Sequence, residues 1–140
     1  YHLGLKQDVF TKFGLPYKPL DKTSIAIEIC NWGQLTKTDK GFVNYVGGIV
    51  PDDQVVEYST PFKGYKYFHK YTDAQVESVG QLVQYWCERY GIPKTYNADM
   101  WDLNKNALAG VPGIYTHVSY RSDKADCHPQ NNFIETLKSI

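Results

Sequence analysis

The chain has 140 residues, 42% hydrophobic and 21% charged, and its 15 basic and 15 acidic side chains cancel. That length suits one domain around one core, and the balance is that of an ordinary globular protein rather than a disordered one. A net charge of zero with no basic stripe speaks against nucleic acid as a partner, and no run is long and apolar enough to predict a membrane span.

The first predicted element is Ser24-Ile-Ala-Ile-Glu-Ile-Cys30, β-branched at every second position. The pattern predicts a central strand buried on both faces. Ile25, Ile27 and Ile29 would point one way, and Ser24, Ala26, Glu28 and Cys30 the other. A carboxylate in such a strand is costly unless it is paired or lines a polar pocket; the alternative is an edge strand with Glu28 in water. Residues from about 36 to 70 read as a hairpin-like insertion. Its short strands are Phe42–Val46, Val55–Tyr58 and Tyr65–Phe68, with turns marked by Gly47, Gly48, Gly64, Pro51 and Pro61. His69 closes it at the surface.

Asp73–Tyr90 is predicted as a helix. Thr72 and Gln75 form a capping box, and Val76, Val79, Val83, Trp86, Cys87 and Tyr90 recur on one face. Gly91 and Pro93 end it. Met100–Gly110 suggests a loop with one helical turn, Gly113–Thr116 a short strand or extended approach, and 132–138 a short helix. Strand, insertion, helix, strand and loop together predict one α/β domain over residues 1–140, a central mixed β-sheet flanked by α-helices.

Composition adds two hints. Tyrosine occurs 12 times and tryptophan 3 times; aromatic clefts suit sugars and peptides, although tyrosines also fill strands and half-buried loops. The cysteines, Cys30, Cys87 and Cys127, are too few and too far apart for a disulfide framework, and Cys87 falls on the apolar helix face. No signal peptide is legible, and a start at Tyr1 rather than Met deprives that observation of weight.

The densest chemistry lies in His117-Val-Ser-Tyr-Arg-Ser-Asp-Lys124-Ala-Asp126-Cys127-His128-Pro129. An imidazole at a strand end, with an acidic or thiol ligand on the next loop, is one way to build an open zinc site. A lysine two residues before that ligand is placed to face developing negative charge. The segment reads equally as a polar surface loop.

These pieces, in order, resemble the zinc-dependent N-acetylmuramoyl-L-alanine amidases, the family shared by bacteriolytic phage endolysins, cell-wall recycling amidases and peptidoglycan recognition proteins. Tyr1-His2-Leu-Gly4 is similar to the family's aromatic-His-x-Gly segment, and Ser24-Ile-Ala-Ile-Glu28-Ile to its Ser-Ile-Gly-Ile-Glu strand. Tyr71-Thr-Asp-Ala-Gln75 and Arg89-Tyr-Gly-Ile-Pro93 are similar to the ends of its long helix. Gly113-Ile-Tyr-Thr-His117 and Lys124-Ala-Asp126 match its second histidine ligand and its Lys-x-Asp ligand loop.

The resemblance implies hydrolysis, with a zinc cofactor, of the amide between N-acetylmuramic acid and L-alanine in the bacterial cell wall. It implies His117 and Asp126 as zinc ligands, with Cys127 a substitute for Asp126 and His128 a more distant one. Glu28 would be general base and then acid, Lys124 the oxyanion partner, and His2 a substrate contact at the groove edge. Trp32 is a candidate lining residue by position. The family's first histidine ligand lies on a strand preceding the Tyr1-His2 segment, so the chain reads as an N-terminally truncated domain impaired in zinc binding. The exposed sheet edge that truncation leaves suggests a homodimer. A second function is a non-catalytic module that binds muramyl peptides in the same groove.

Overall fold

The computed structural model describes residues 2–140; Tyr1, which opens the aromatic-His-x-Gly segment, lies outside the described residues. In chain order the elements are α1 (Gln7–Lys12), β1 (Gln34–Thr38), β2 (Gly41–Val43), β3 (Ile49–Val50), β4 (Val55–Phe62), β5 (Tyr65–His69), α2 (Asp73–Tyr90), α3 (Lys105–Ala109) and α4 (Asn131–Ser139). The architecture is α/β, with a five-stranded sheet in the order β3-β2-β1-β5-β4.

Among the described residues every strand pair is antiparallel, and every strand comes from 34–69. The segment read as an insertion therefore supplies the sheet itself. Its pairings are local in sequence, so short turns close them at little entropic cost. The strand expected over Phe42–Val46 ends at Val43 because Asn44 captures the chain. Its side-chain oxygen accepts from the N–H groups of Val46 at 3.1 Å and Gly48 at 2.8 Å. Asn44 N–H also donates to the Gly48 carbonyl at 2.9 Å.

The expected central strand requires correction. Ser24–Cys30 is not part of any ladder. Ile25 is 46% exposed, and Glu28 stands in solvent. Alternating isoleucines specify a backbone that faces two ways, but they do not specify the neighbour that pairs with it. Among the described residues this segment finds no pairing partner and is held at its ends by side chains. Ser24 Oγ donates to the Leu20 carbonyl at 2.7 Å, and Gln75 Nε2 to the Cys30 carbonyl at 2.6 Å. Ile29 packs against the core beside α2. Gly113–Thr116 is likewise outside any ladder and leads into a 3₁₀ turn at His117–Ser119.

Helix α2 forms over the predicted residues. Thr72 and Gln75 close the capping box, and Gly91, at φ 66°, is the left-handed cap. Val76 and Cys87 of its apolar face are buried, whereas Tyr90 is 60% exposed. α4 crosses α2 at Gly80, where an added Cβ would stand 2.5 Å from Thr136 Cγ2. A glycine costs helix propensity, and here it permits that close approach.

Two hydrophobic cores result. One joins Leu3, Val9 and Phe10 of the N-terminal region to Leu20, Ala107, Leu108 and Tyr120. The other joins Tyr71 and Val76 to Met100, Phe133 and Leu137.

Candidate functional site

Between the two cores runs a groove of about 1080 Å³, lined by residues of both. One wall is the unpaired segment Ser24–Ile29, and another is the extended run Gly110–His117. Val79, Val83, Trp86 and Tyr90 of α2 line it as well, which is why that part of the helix stripe is incompletely buried. His2, Glu28, His117, Lys124, Asp126 and Cys127 all face this one space. Trp32 does not line it, but its neighbours Asn31 and Gly33 do.

His117 is placed by buried hydroxyls. Thr116 and Ser119 form a capping box around the 3₁₀ turn, and both hydroxyls donate to the Met100 carbonyl at 2.6 Å. The imidazole then stands with Nδ1 2.9 Å from Asp126 Oδ2 and Nε2 3.2 Å from the Leu3 carbonyl oxygen. Both ring nitrogens thus face oxygen acceptors. A neutral ring donates to one and turns a lone pair toward the other, a mismatch that a cation at that nitrogen removes. The hydrogen bond from His117, reinforced by the charges of His117 and Lys124, holds the Asp126 carboxyl below the usual range.

The alternatives to Asp126 are differently placed. Cys127 packs against the second core, and burial pushes its thiol up to about 12. His128 is 1% exposed. Its ring stacks on Tyr71 at 4.4 Å and on Phe68 at 4.7 Å. Nδ1 accepts from the Tyr58 hydroxyl at 2.7 Å, and Nε2–H donates to the His69 carbonyl at 3.0 Å. Its backbone N–H donates to Tyr71 Oη at 3.1 Å. Desolvation lowers its pKa to about 4. With both nitrogens engaged, His128 anchors the ligand loop to the sheet and to Tyr71 on the β5–α2 connection. Gln130 adds a second tie, exchanging hydrogen bonds with the Tyr71 backbone at 2.8 and 3.1 Å.

At the N-terminal end, His2 Nε2–H donates to Ser24 Oγ at 2.8 Å, and the Leu3 N–H donates to Asp21 at 2.8 Å. Gly4 has φ 56°, a conformation that calls for glycine, and the Arg121 guanidinium packs over it where a Cβ would stand. Arg121 in turn makes a two-point contact with Asp123 at 2.9 and 2.6 Å, and Lys6 joins at 3.3 Å. The network pulls the exposed Asp123 carboxyl far below its ordinary value.

Sequence reading missed the roles of Tyr58, Tyr71, Gln130 and Arg121. The Arg-x-Asp spacing was a legible cue for the last. The others are joined only by folding, across 57 to 70 residues of chain. Among the described residues, no three His, Cys, Asp or Glu side chains come together in a group able to hold a metal ion.

The groove thus gathers a carboxylate, a lysine and a histidine–aspartate pair in one space. A family model described as N-acetylmuramoyl-L-alanine amidase matches residues 1–130, and the chain belongs to that family. The family acts as peptidoglycan amidases. No curated relative and no solved structure matches significantly.

Proposed function

We propose that the protein is a zinc-dependent amidase that cuts between the lactyl group of N-acetylmuramic acid and L-alanine of the stem peptide. The observation that carries this reading is the common groove of Glu28, Lys124, His2 and the His117–Asp126 pair in a chain of this family. When bound, zinc lowers the pKa of a water and polarises a carbonyl. His117 and Asp126 offer two ligands, and a catalytic site takes three.

The chain's own residues divide the remaining work. Glu28 accepts the proton of the attacking water and returns it to the leaving amine. Lys124 faces the tetrahedral oxyanion. His2, held by Ser24, borders the substrate at the groove edge. The His128 anchor keeps Lys124 and Asp126 in register with His117.

The incomplete ligand set favours one second reading, a module that binds muramyl peptides without cutting them. Elemental analysis for zinc, alongside release of L-alanyl peptides from purified peptidoglycan, separates the two. Chelator-sensitive release supports the amidase. Peptide binding with no release supports the module, and neither binding nor release removes both. The unpaired backbone at 24–30 is also where a homodimer would pair; a monomeric gel-filtration peak at every concentration removes that dimer.

A further inference from the structure

An aromatic pair stands uncovered beside the groove. Trp32 follows the extended segment and Tyr45 sits on the β2–β3 turn, their ring centroids 5.9 Å apart and their planes at 63°. Tyr45 is 77% exposed, Val46 65% and Trp32 42%. Single exposed apolar residues are ordinary, but these are clustered and rigidly carried. On one side, Asn44 is 8% exposed and fixes the turn through its hydrogen bonds to Val46 and Gly48. On the other, the backbone N–H of Trp32 donates to His69 Nδ1 at 3.2 Å. The flanking Asn31 accepts from the Gly33 N–H at 2.8 Å and donates to the His69 carbonyl at 3.1 Å. Backbone held in this way before a ligand arrives gives up little ordering entropy on binding.

We propose that Trp32 and Tyr45 form a stacking platform for a hexosamine ring of the peptidoglycan glycan strand, adjoining the muramyl residue in the groove. The proposal rests on the peptidoglycan reading above. A pyranose carries C–H bonds on its faces and hydroxyls at its rim, which suits an indole or phenol ring that is apolar on its face and polar at one edge. Two rings set at an angle grip a sugar by a face and an edge, and the Val46 side chain offers an apolar contact for an acetamido methyl. Asn44–Val50 contains no charged side chain. That neutrality suits an acetylated sugar rather than the ionised stem peptide.

The position also fits. Asn31 and Gly33 line the groove on either side of Trp32. Trp32 is four residues beyond Glu28, at most about 14 Å of extended chain. A glycan strand whose lactyl amide lies at Glu28 is thus within a few sugar rings of the platform.

The test uses Trp32→Ala, Tyr45→Ala and Tyr45→Leu, the last preserving apolar bulk without a ring. The probes are a soluble tetramer of N-acetylglucosamine, intact peptidoglycan and a short soluble muramyl peptide. Binding of the tetramer, followed by tryptophan fluorescence for the Tyr45 variants and by calorimetry for all, should weaken at least tenfold in each variant with Tm unchanged. KM for intact peptidoglycan should rise at least fivefold, while turnover of the short muramyl peptide by the Tyr45 variants stays within twofold. Equal tetramer binding by wild type and variants overturns the platform, as does a wild type that cleaves peptidoglycan without binding the tetramer. Ring-dependent tetramer binding without cleavage supports the platform and removes the amidase reading instead.

Discussion

Replacing His128 with alanine tests the anchor of the ligand loop. The ring is 1% exposed and lies between Tyr71 and Phe68. Deleting it leaves a cavity, and truncation of a large buried side chain costs about 3 kcal/mol. It also removes the partner of the Tyr58 hydroxyl and one of the two donors to the His69 carbonyl, which keeps Asn31. Water reaches the half-exposed Tyr58 and Asn31 still serves the carbonyl, so the two lost hydrogen bonds add only about 1 kcal/mol together. The expected loss is ~4 kcal/mol, a large share of the 5–15 kcal/mol typical of a domain. At 2–4 °C per kcal/mol, Tm falls by roughly 8–16 °C.

Urea unfolding measures the loss directly, as a lower midpoint at an unchanged slope. His128→Phe keeps both stacks and gives up both hydrogen bonds, so it should lie between alanine and wild type. Amide exchange in Lys124–Cys127 should accelerate more than in α4 for both variants. A cost below about 1 kcal/mol for His128→Ala, with unchanged exchange in the loop, would refute the anchoring argument.

Glu28→Gln should reduce release of L-alanyl peptide at least ~100-fold while peptidoglycan binding persists, because only proton transfer is removed; unchanged kcat would eliminate Glu28 as the base. Lys124→Met should lower kcat by a similar factor with little change in KM, which steady-state kinetics on purified peptidoglycan checks. Gly80→Val inserts a branched side chain against Thr136 and should destabilise the α2–α4 contact by roughly 2 kcal/mol, read as a lower urea midpoint. Asp123 binds no proton until well below the pH at which an unfolded chain's aspartates do. Its contribution is present above the unfolded pKa and is lost as pH falls through its folded one. Carboxyl-carbon NMR should show Asp123 still ionised after the solvent-exposed aspartates without ion-pair partners have titrated, and Arg121→Met should remove most of the difference, leaving the part due to Lys6.

Features written within a few residues were legible in the sequence. α2 formed over its predicted span because its capping box, apolar stripe and terminal glycine are all local signals. The ordered motifs likewise brought the family into view. The fate of Ser24–Cys30 was not legible. Its alternating isoleucines fix an extended backbone, but pairing depends on a second chain segment, and the turns of 34–69 let those strands satisfy one another instead.

The same limit governed the ligand loop. His117, Asp126 and His128 look alike in sequence, each an acid or imidazole in a polar run. Only the tertiary structure turned His117 toward Asp126 and closed Tyr58, Tyr71 and His69 around His128. The chain by itself determined the helix, the turn residues and the chemistry on offer, because each is set by neighbours a turn or two away. Which imidazole faces the groove and which is an internal strut was decided by contacts across the fold, where burial and hydrogen-bond partners come from segments far apart in sequence.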